Sequence, residues 1–337
     1  MHIGAQTVQF SELITIAAGA SIVGKTEGEG PLRERFDRIG TDSYFGQKSW
    51  EKAESVMQKR CFELLCEKSG IAPAQLQYLL AGDLQSQCTG SAFAARDSGV
   101  PYLGLYGACS TMGEAMSLGA LLIESGAAEL VCAMTSSHFC SAERQFRLPL
   151  EYGGQRTPTA QRTATAAGAV LLRRGGTGPR ITHITTGKIV DAGVTDANNM
   201  GAAMAPAAWD TLKAHFADTG RRPAYYDAVI TGDLGHFGHD ILADLAHAEQ
   251  TAFPNVFTDC DILLYSPKTQ DVHSGGSGCG CSAAVFAGHI LKCLRERTWN
   301  RVLFAPTGAL LSVVTTQQGE SIPGICHAIA IENTEES

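Results

Sequence analysis

The residues best suited to nucleophilic chemistry lie in the segment Gly107-Ala108-Cys109-Ser110, where an apolar strand candidate runs directly into a helix candidate. This order predicts that Cys109 lies at or near a helix N-terminus, whose unpaired backbone N–H groups stabilise negative charge. A cysteine in that position has a lowered pKa and acts as a nucleophile. Alternatively, Cys109 is a small residue packed in a tight turn, and the residue types alone leave both interpretations open.

The elements around this turn form an internal repeat. Residues 76–84, LQYLLAGDL, and residues 226–234, YDAVITGDL, are apolar strand candidates that each end in Gly-Asp-Leu. Each follows an amphipathic helix candidate, at Trp50–Lys68 and at Ala207–Ala217. The same helix–strand context on both sides indicates a duplication.

The rest of the chain alternates between strand and helix candidates. Further helices are predicted at Met112–Ser125 and Ser282–Thr298, and further strands at Tyr102–Tyr106, Glu129–Met134, Ala167–Arg173, Ile262–Ser266 and Arg301–Ala305. This alternation indicates an α/β fold with a parallel or mixed sheet covered by helices on both faces. We predict two halves, residues 1–178 and 179–337, joined by the connection Arg174–Pro179.

Composition and charge exclude several classes of protein. The 337 residues carry a net charge of −8, whereas nucleic-acid binding needs a basic face. The apolar stretch Leu13–Val23 follows Glu12 rather than a basic region, so it is not a signal peptide, and we expect a soluble cytosolic protein. The eleven cysteines lie mostly in apolar segments and indicate reduced thiols, and the lone Cys279-x-Cys281 pair predicts no metal site.

Two glycine-rich segments carry a family resemblance. Residues 107–131, GACSTMGEAMSLGALLIESGAAELV, resemble the nucleophile segment of ketoacyl synthase III-type condensing enzymes and thiolases. Residues 274–312, with a final glycine turn at Gly308, are similar to the C-terminal segment of the same families. The resemblance implies a five-layer αβαβα fold made of two duplicated halves. It also implies a homodimer whose sheet continues across a two-fold axis near Cys109.

The catalytic partners that this resemblance implies are missing. Those families use a histidine, with a second histidine or an asparagine, to form an enolate and hold it. The first position corresponds to Asp233, and the second to Ser277 or Gly280. A carboxylate cannot donate a hydrogen bond to an enolate unless it is protonated, so we predict no catalytic residues and regard Cys109 as a degenerate nucleophile. His236 and His273 are the candidates for an unusual rescue.

Three longer stretches resemble one branch of this fold, the stage V sporulation protein AD family. They are residues 136–169, 185–212 and 306–332. This resemblance implies a subunit that binds dipicolinic acid, alone or as its calcium chelate, and docks on the membrane subunits of the SpoVA uptake apparatus. Such a protein is cytoplasmic and associates peripherally with the spore inner membrane. No cofactor is implied other than calcium carried with the ligand.

Dipicolinate is a pyridine ring with two carboxylates, so its site needs hydrogen-bond donors and cations. The stretch from Ser136 to Thr165 is polar and has little periodicity, so we interpret it as a long loop. Its segment from Ser141 to Arg162 supplies arginines, which fork carboxylates, at Arg144, Arg147, Arg156 and Arg162, set against Glu143 and Glu151. The predicted ligand-binding set is Cys109, Ser137, His138, Arg162, Asp233, His236, His273 and Gly308. For calcium, Asp83 or Asp233 would supply an oxygen ligand.

Three hypotheses follow. The preferred one is a non-enzymatic dipicolinate-binding subunit. The second is an acyl-condensing enzyme that uses Cys109 with His236 or His273. The third is a scaffold whose old pocket is vestigial and whose surface serves the membrane complex.

Overall fold

The computed structural model describes residues 1–146 and 156–333, and these contain two sets of alternating strands and helices. The strands are β1 (His2–Ile3), β2 (Thr7–Val23), β3 (Arg38–Ile39), β4 (Tyr78–Gly82), β5 (Tyr102–Gly104), β6 (Leu130–Ser137), β7 (Arg162–Thr163), β8 (Ala166–Arg174), β9 (Arg180–Thr186), β10 (Ala228–Thr231), β11 (Val256–Asp259), β12 (Gly276–Ser277), β13 (Arg301–Ala305), β14 (Thr307–Ala309) and β15 (Gly324–Glu332). The helices are α1 (Trp50–Ser69), α2 (Thr89–Ala95), α3 (Thr111–Glu124), α4 (Phe139–Phe146), α5 (Met200–Thr219), α6 (Gly235–Ala248), α7 (Cys260–Leu264), α8 (Cys279–Val285), α9 (Leu291–Arg295) and α10 (Val313–Gln317).

The strand pairing repeats between the two halves. In the first half β8 pairs antiparallel with β2 and β6, and β4 runs parallel to β6 and β5. In the second half β15 pairs antiparallel with β9 and β13, and β10 runs parallel to β13 and β11. The antiparallel pairing of β2 with β9 joins the two sets. The predicted α/β fold of duplicated halves is confirmed. The boundary at residue 178, which falls between β8 and β9, stays a prediction.

The outer helices of the two halves begin and end with the same kinds of cap. The Ser49 side chain accepts a hydrogen bond from the backbone N–H of Lys52 at the start of α1, and Gly70 ends that helix at φ 68°. Asn199 caps the start of α5, and Gly220 ends it at φ 66°. Both helices were predicted. Helix α5 begins at Met200, before the start at Ala207 that its apolar stripe predicted.

The central layer is formed by the helices that follow the glycine-rich turns. Helix α3 packs against β6 of the first half and β15 of the second, and α8 packs against β8 and β6. A Cβ at Gly168 in β8 would lie 2.2 Å from the backbone of Ala283 in α8, so only glycine permits this close approach. The buried centre therefore lies where the two sets of strands meet these helices, and it holds the start of both helices.

Two local predictions were wrong. Residues Ile262–Ser266 were predicted as a strand, but this region holds α7, and the strand is β11, just before it. A short apolar run does not separate strand from helix, whereas Asp259 caps α7 by accepting from the backbone N–H of Asp261 at 3.1 Å. The stretch Ser136–Thr165 was interpreted as a loop, but α4 and β7 lie within it.

No helix in the described ranges combines the length and apolar character needed to cross a membrane.

Candidate functional site

Cys109 lies in a tight turn between β5 and α3. Ala108, just before it, adopts φ 50°, a left-handed conformation that is uncommon for a residue other than glycine. The turn is closed by the Ser110 hydroxyl, which donates to the Gly107 carbonyl at 2.7 Å. The Gly107 N–H donates to the Thr111 hydroxyl at 3.0 Å. These bonds fix the cysteine directly before the first turn of a buried helix.

Gly308 of β14 packs against this turn. A Cβ at position 308 would lie 2.4 Å from the Gly107 carbonyl oxygen and 3.1 Å from the Ser110 nitrogen. Both neighbours are backbone atoms, which cannot swing aside as a side chain can. Gly308 therefore permits β14 to approach the cysteine turn.

The thiol of Cys109 has two polar neighbours, and they are residues that the family resemblance aligns with the catalytic pair. The Asp233 carboxyl lies near enough to influence the pKa of the thiol, and the Ser277 hydroxyl oxygen lies 3.8 Å from Sγ. Burial, and then the nearby Asp233 charge, raise the pKa of the Cys109 thiol well above its usual value. Of the two interpretations that the residue types left open, a small buried residue in a tight turn fits better than an activated thiolate, because desolvation and a neighbouring carboxyl outweigh the helix N-terminus.

Asp233 follows β10 and is surrounded by donors. Its Oδ1 accepts from the Thr307 hydroxyl at 2.8 Å, and its Oδ2 accepts from the Gly278 N–H at 3.2 Å and the Ser277 hydroxyl at 3.4 Å. The carboxyl is fully buried, and burial together with the Asp259 charge raises its pKa to about 7. At neutral pH this group is therefore divided between its acid and its carboxylate form.

The two histidines predicted as rescue candidates lie elsewhere. His236 is half-buried in the first turn of α6, where its backbone N–H donates to the Ser274 carbonyl at 2.7 Å. The His273 ring lies 3.2 Å from a carboxylate oxygen of Asp271. Among the described residues, the structure brings neither ring into hydrogen-bond contact with Cys109.

Ser137 ends β6, His138 follows it, and both side chains form hydrogen bonds with nearby backbone groups. The Ser137 hydroxyl donates to the Ala164 carbonyl at 2.7 Å. The Nδ1 atom of His138 accepts from the Cys140 N–H at 3.1 Å, so Nε2 carries the proton and donates to the Ser43 carbonyl at 2.7 Å. Burial lowers the pKa of His138, which keeps the ring neutral. Both ring nitrogens are thus occupied by backbone groups.

The predicted arginines separate into different environments. The Arg162 guanidinium lies 3.9 Å from the centre of the Phe139 ring, and its Nε has no hydrogen-bond partner within the described ranges. Arg156 pairs with Asp271. Arg147 and Glu151 lie outside the described residues.

A second buried carboxyl group, Glu54 of α1, was missed in the sequence. It accepts from Gln85 Nε2 at 2.8 Å, from the Ser141 hydroxyl at 2.7 Å and from the Ser136 hydroxyl at 3.1 Å. Burial, and then the charge of Asp83, raise the pKa of Glu54 to about 8. The available signal was an acidic residue placed within the buried stripe of an amphipathic helix.

Asp83 braces a turn after β4. One carboxylate oxygen accepts from the Gln85 N–H at 2.8 Å, and the other accepts from the Ser91 N–H at 2.6 Å. The side chain is fully buried, and burial raises its pKa. Within the described ranges, no group of three or more histidine, cysteine or acidic residues has an arrangement that could hold a metal ion.

Comparisons with known proteins agree on the family and on the fold. The family described as "Stage V sporulation protein AD (SpoVAD)" matches residues 4–332. The stage V sporulation protein AD of Bacillus subtilis (strain 168) is 41% identical over 329 residues, which is 98% of this chain and 97% of that protein.

Solved structures of condensing enzymes share the fold at low sequence identity. The 3-oxoacyl-[acyl-carrier-protein] synthase III of Aquifex aeolicus VF5 is 13% identical with a TM-score of 0.58, covering 95% of this chain and 99% of that one. The synthase III of Xanthomonas oryzae pv. oryzae is 13% identical with a TM-score of 0.60, covering 96% and 100%. A variant of Xanthomonas campestris OleA is 14% identical with a TM-score of 0.59, covering 98% and 100%. The predicted thiolase-like five-layer fold is confirmed.

Proposed function

We propose, from the premise that this chain belongs to the stage V sporulation protein AD family, that it binds dipicolinic acid without chemical turnover during endospore formation. A role in sporulation follows from the family itself. The finer step, from family to ligand and mode of action, is our proposal. It starts from the chemistry of the cysteine pocket, by which we mean Cys109 with Asp233, Ser277 and Thr307.

The observation that carries the proposal is the pair of groups around Cys109. Condensation needs a thiolate, and it needs a donor that stabilises the developing enolate. Here the neighbours of the thiol are the carboxyl of Asp233 and the hydroxyl of Ser277. The raised pKa of Cys109 keeps it a neutral thiol, so the nucleophile position is kept without its reactivity.

The same pocket suits a carboxylate when Asp233 is protonated. The Ser277 hydroxyl, the Gly278 N–H and the Thr307 hydroxyl converge on the Asp233 carboxyl. Protonation of Asp233 would weaken these hydrogen bonds and make the donors available to a ligand carboxylate. Protonated Asp233 would add a donor, whereas ionised Asp233 would repel a dianion. Because the pKa of Asp233 is about 7, dipicolinate binding should tighten as pH falls, by up to about 10-fold per pH unit above pH 7.

Calcium carried with the ligand would change this dependence. An ionised Asp233 could pair with a calcium ion held by the two ligand carboxylates and would then favour the chelate at higher pH. Asp83 is the weaker candidate, because its oxygens accept from Gln85 and Ser91 near its own turn, whereas Asp233 lies beside Cys109.

The proposal includes partners and a location. The protein would be cytoplasmic and would dock on the membrane subunits of the SpoVA apparatus at the spore inner membrane. A homodimer would form along β5, the last strand in the sheet order. Leu103 of β5 and the nearby Tyr106 are each 45% exposed, which supports an interface there.

Titration calorimetry at pH 6 and pH 8, with and without calcium, tests the proposal. Isophthalate is a matched control ligand, because it has the same shape but lacks the ring nitrogen that chelates calcium. Saturable dipicolinate binding is expected, and it should weaken in the Cys109→Ala variant. Asp233→Asn imitates the protonated acid, so it should remove the pH dependence of binding without calcium. The absence of binding under all four conditions would contradict a dipicolinate receptor.

One observation favours a condensing enzyme as the second candidate. The strained conformation of Ala108 and the buried helix after Cys109 preserve the nucleophile turn. Acylation of Cys109 by an acyl-CoA, followed by turnover, would support that function. A chain that neither binds dipicolinate nor reacts with acyl-CoA would instead be a scaffold with a vestigial pocket.

A further inference from the structure

A second polar compartment opens beside the cysteine pocket. It is a cavity of about 290 Å³, lined by Glu51, Gln85, Ser141, Arg144 and Gln145. All five lining side chains are polar, whereas pockets for apolar ligands are lined mainly by hydrophobic and aromatic groups. The lining therefore suits a small, charged molecule.

Two segments separate this cavity from the cysteine pocket. In α4, Ser141 and Arg144 line the cavity, while Ala142 and Phe146 pack on the side of Cys109 and Cys279. After β4, Gln85 lines the cavity, while its neighbour Leu84 packs against the same cysteines. The two compartments thus lie on opposite sides of one thin wall.

Arg144 is placed to bind an anion in this cavity. Its guanidinium lies 4.9 Å from the centre of the Trp50 ring, and Tyr44 stacks on that ring at 5.9 Å. One terminal nitrogen lies 3.2 Å from a carboxylate oxygen of Glu51. A guanidinium has five N–H donors in a planar fork, so most remain available to a bidentate carboxylate.

The pair with Glu51 does not block this role. The Arg144 and Glu51 side chains are 47% and 35% exposed, and ion pairs at such exposure are weak because water competes with them. A ligand carboxylate can therefore replace Glu51 at the guanidinium. Removing the Glu51 charge should then strengthen the binding of an anionic ligand, since it frees Arg144 and removes a repulsive negative charge.

Protonation of one of the two acids beneath the floor of the cavity reduces the repulsion of an anion at neutral pH. Gln85 and Ser141 connect the lining to the buried carboxyl of Glu54, behind which lies Asp83. The pKa of Glu54, raised to about 8, keeps that group mainly neutral. Among the charged residues that line the cavity, only Glu51 thus opposes the positive charge of Arg144.

We infer that this cavity is an accessory binding site for small aromatic carboxylates, with Arg144 as its specificity-determining residue. The inference rests on the proposed function for the identity of the ligand class. It goes beyond that function because it assigns a second site, on the far side of α4 from Cys109. This second site would hold the same anion near the cysteine pocket.

Titration calorimetry with dipicolinate at pH 7 tests this with three single variants. Arg144→Gln should weaken binding at one of two sites by roughly 10-fold or more, because it removes a charge-assisted bidentate contact. Glu51→Gln should tighten that site by about 2-fold to 5-fold. Arg96→Gln is the matched control, since Arg96 also lies over an aromatic ring, Phe93, and beside a carboxylate, Asp97, at the surface.

Each outcome separates the two proposals. Unchanged binding in Arg144→Gln, an equal loss in Arg96→Gln, or a loss in Glu51→Gln comparable to that in Arg144→Gln would overturn the accessory site. If any of these occurs while Cys109→Ala still weakens binding and Asp233→Asn removes its pH dependence, the proposed function stands. Binding that depends on Arg144 but not on Asp233 or Cys109 would support the accessory site and overturn the cysteine pocket as receptor. A wild-type chain that does not bind dipicolinate overturns both. Equal melting temperatures of the variants would show that all are folded.

Discussion

Glu54 should make the stability of this protein fall as pH rises, and Glu54→Gln should remove most of that fall. The carboxyl is fully buried and accepts hydrogen bonds from Gln85, Ser141 and Ser136. A glutamine amide has nearly the same shape. Its oxygen can accept from Gln85 and Ser141, and its NH₂ group can donate to the hydroxyl of Ser136. The substitution therefore imitates the protonated acid at every pH.

The magnitude follows from the pKa of Glu54, which rises from 4.5 to about 8 on folding. Between these values the folded chain holds a proton that the unfolded chain has lost, so stability decreases as pH increases. At about 1.36 kcal/mol per pH unit, the whole interval corresponds to an upper limit of about 5 kcal/mol. Asp83, whose charge contributes to this pKa, remains in the variant, so we expect a gain of about 2–5 kcal/mol at pH 9 and little difference at pH 4.5.

Urea denaturation followed by circular dichroism from pH 4.5 to pH 9 measures this difference. Glu51→Gln is the matched control, because Glu51 lies on the same helix but its side chain is 35% exposed. Its stability should follow that of the wild type at every pH. Parallel curves for wild type and Glu54→Gln would refute the buried-acid argument. A lower stability of Glu54→Gln at pH 9 would refute it as well.

Three further predictions concern the cysteine pocket. Asp233→Asn should speed alkylation of Cys109 by iodoacetamide at pH 8 by roughly 10-fold, because it removes the carboxyl that raises the thiol pKa. The Cys109→Ala variant serves as the blank, and an unchanged rate would contradict this. Gly308→Ala should cost about 1–3 kcal/mol in urea denaturation, since its Cβ would meet the Gly107 carbonyl at 2.4 Å. The control Gly104→Ala, whose nearest neighbour is the Tyr102 hydroxyl at 3.0 Å, should cost less than about 0.5 kcal/mol, and equal costs would refute the packing argument. Thr307→Val should lower the free energy of unfolding by about 1–3 kcal/mol, because it removes the hydroxyl that donates to Asp233. The loss should be greater at pH 8 than at pH 6, since ionised Asp233 depends more on this donor. A loss independent of pH would argue against the hydrogen bond between Thr307 and Asp233.

The periodic parts of the fold were predictable from the sequence. Helix α1 was predicted within one residue of its end, and α3 within one residue at each end, because their apolar stripes have helical spacing. The duplicated Gly-Asp-Leu strands also predicted the repeated halves. The segment 262–266 was not predictable in this way, since its short apolar run fits a strand and a helix equally well.

The candidate site was likewise predictable from the sequence only in part. Asp233 and Ser277 could be placed near Cys109 because family resemblance aligns them with catalytic positions. The hydrogen bonds of Glu54 could not be predicted, since its partners Gln85 and Ser141 are 31 and 87 residues away in the chain. The pKa of Cys109 was also out of reach, because burial opposes the helix terminus and burial depends on the whole fold.

The state of the Cys109 thiol decides between a receptor and an enzyme. The direct measurement is the intact mass of the protein after incubation with acetyl-CoA from pH 6 to pH 9, with an active ketoacyl synthase III as the positive control. We predict an unmodified chain throughout, since the thiol is buried beside a carboxyl and its pKa lies well above the usual value. An acetyl group that maps to Cys109 and is passed on to a second substrate would contradict the account.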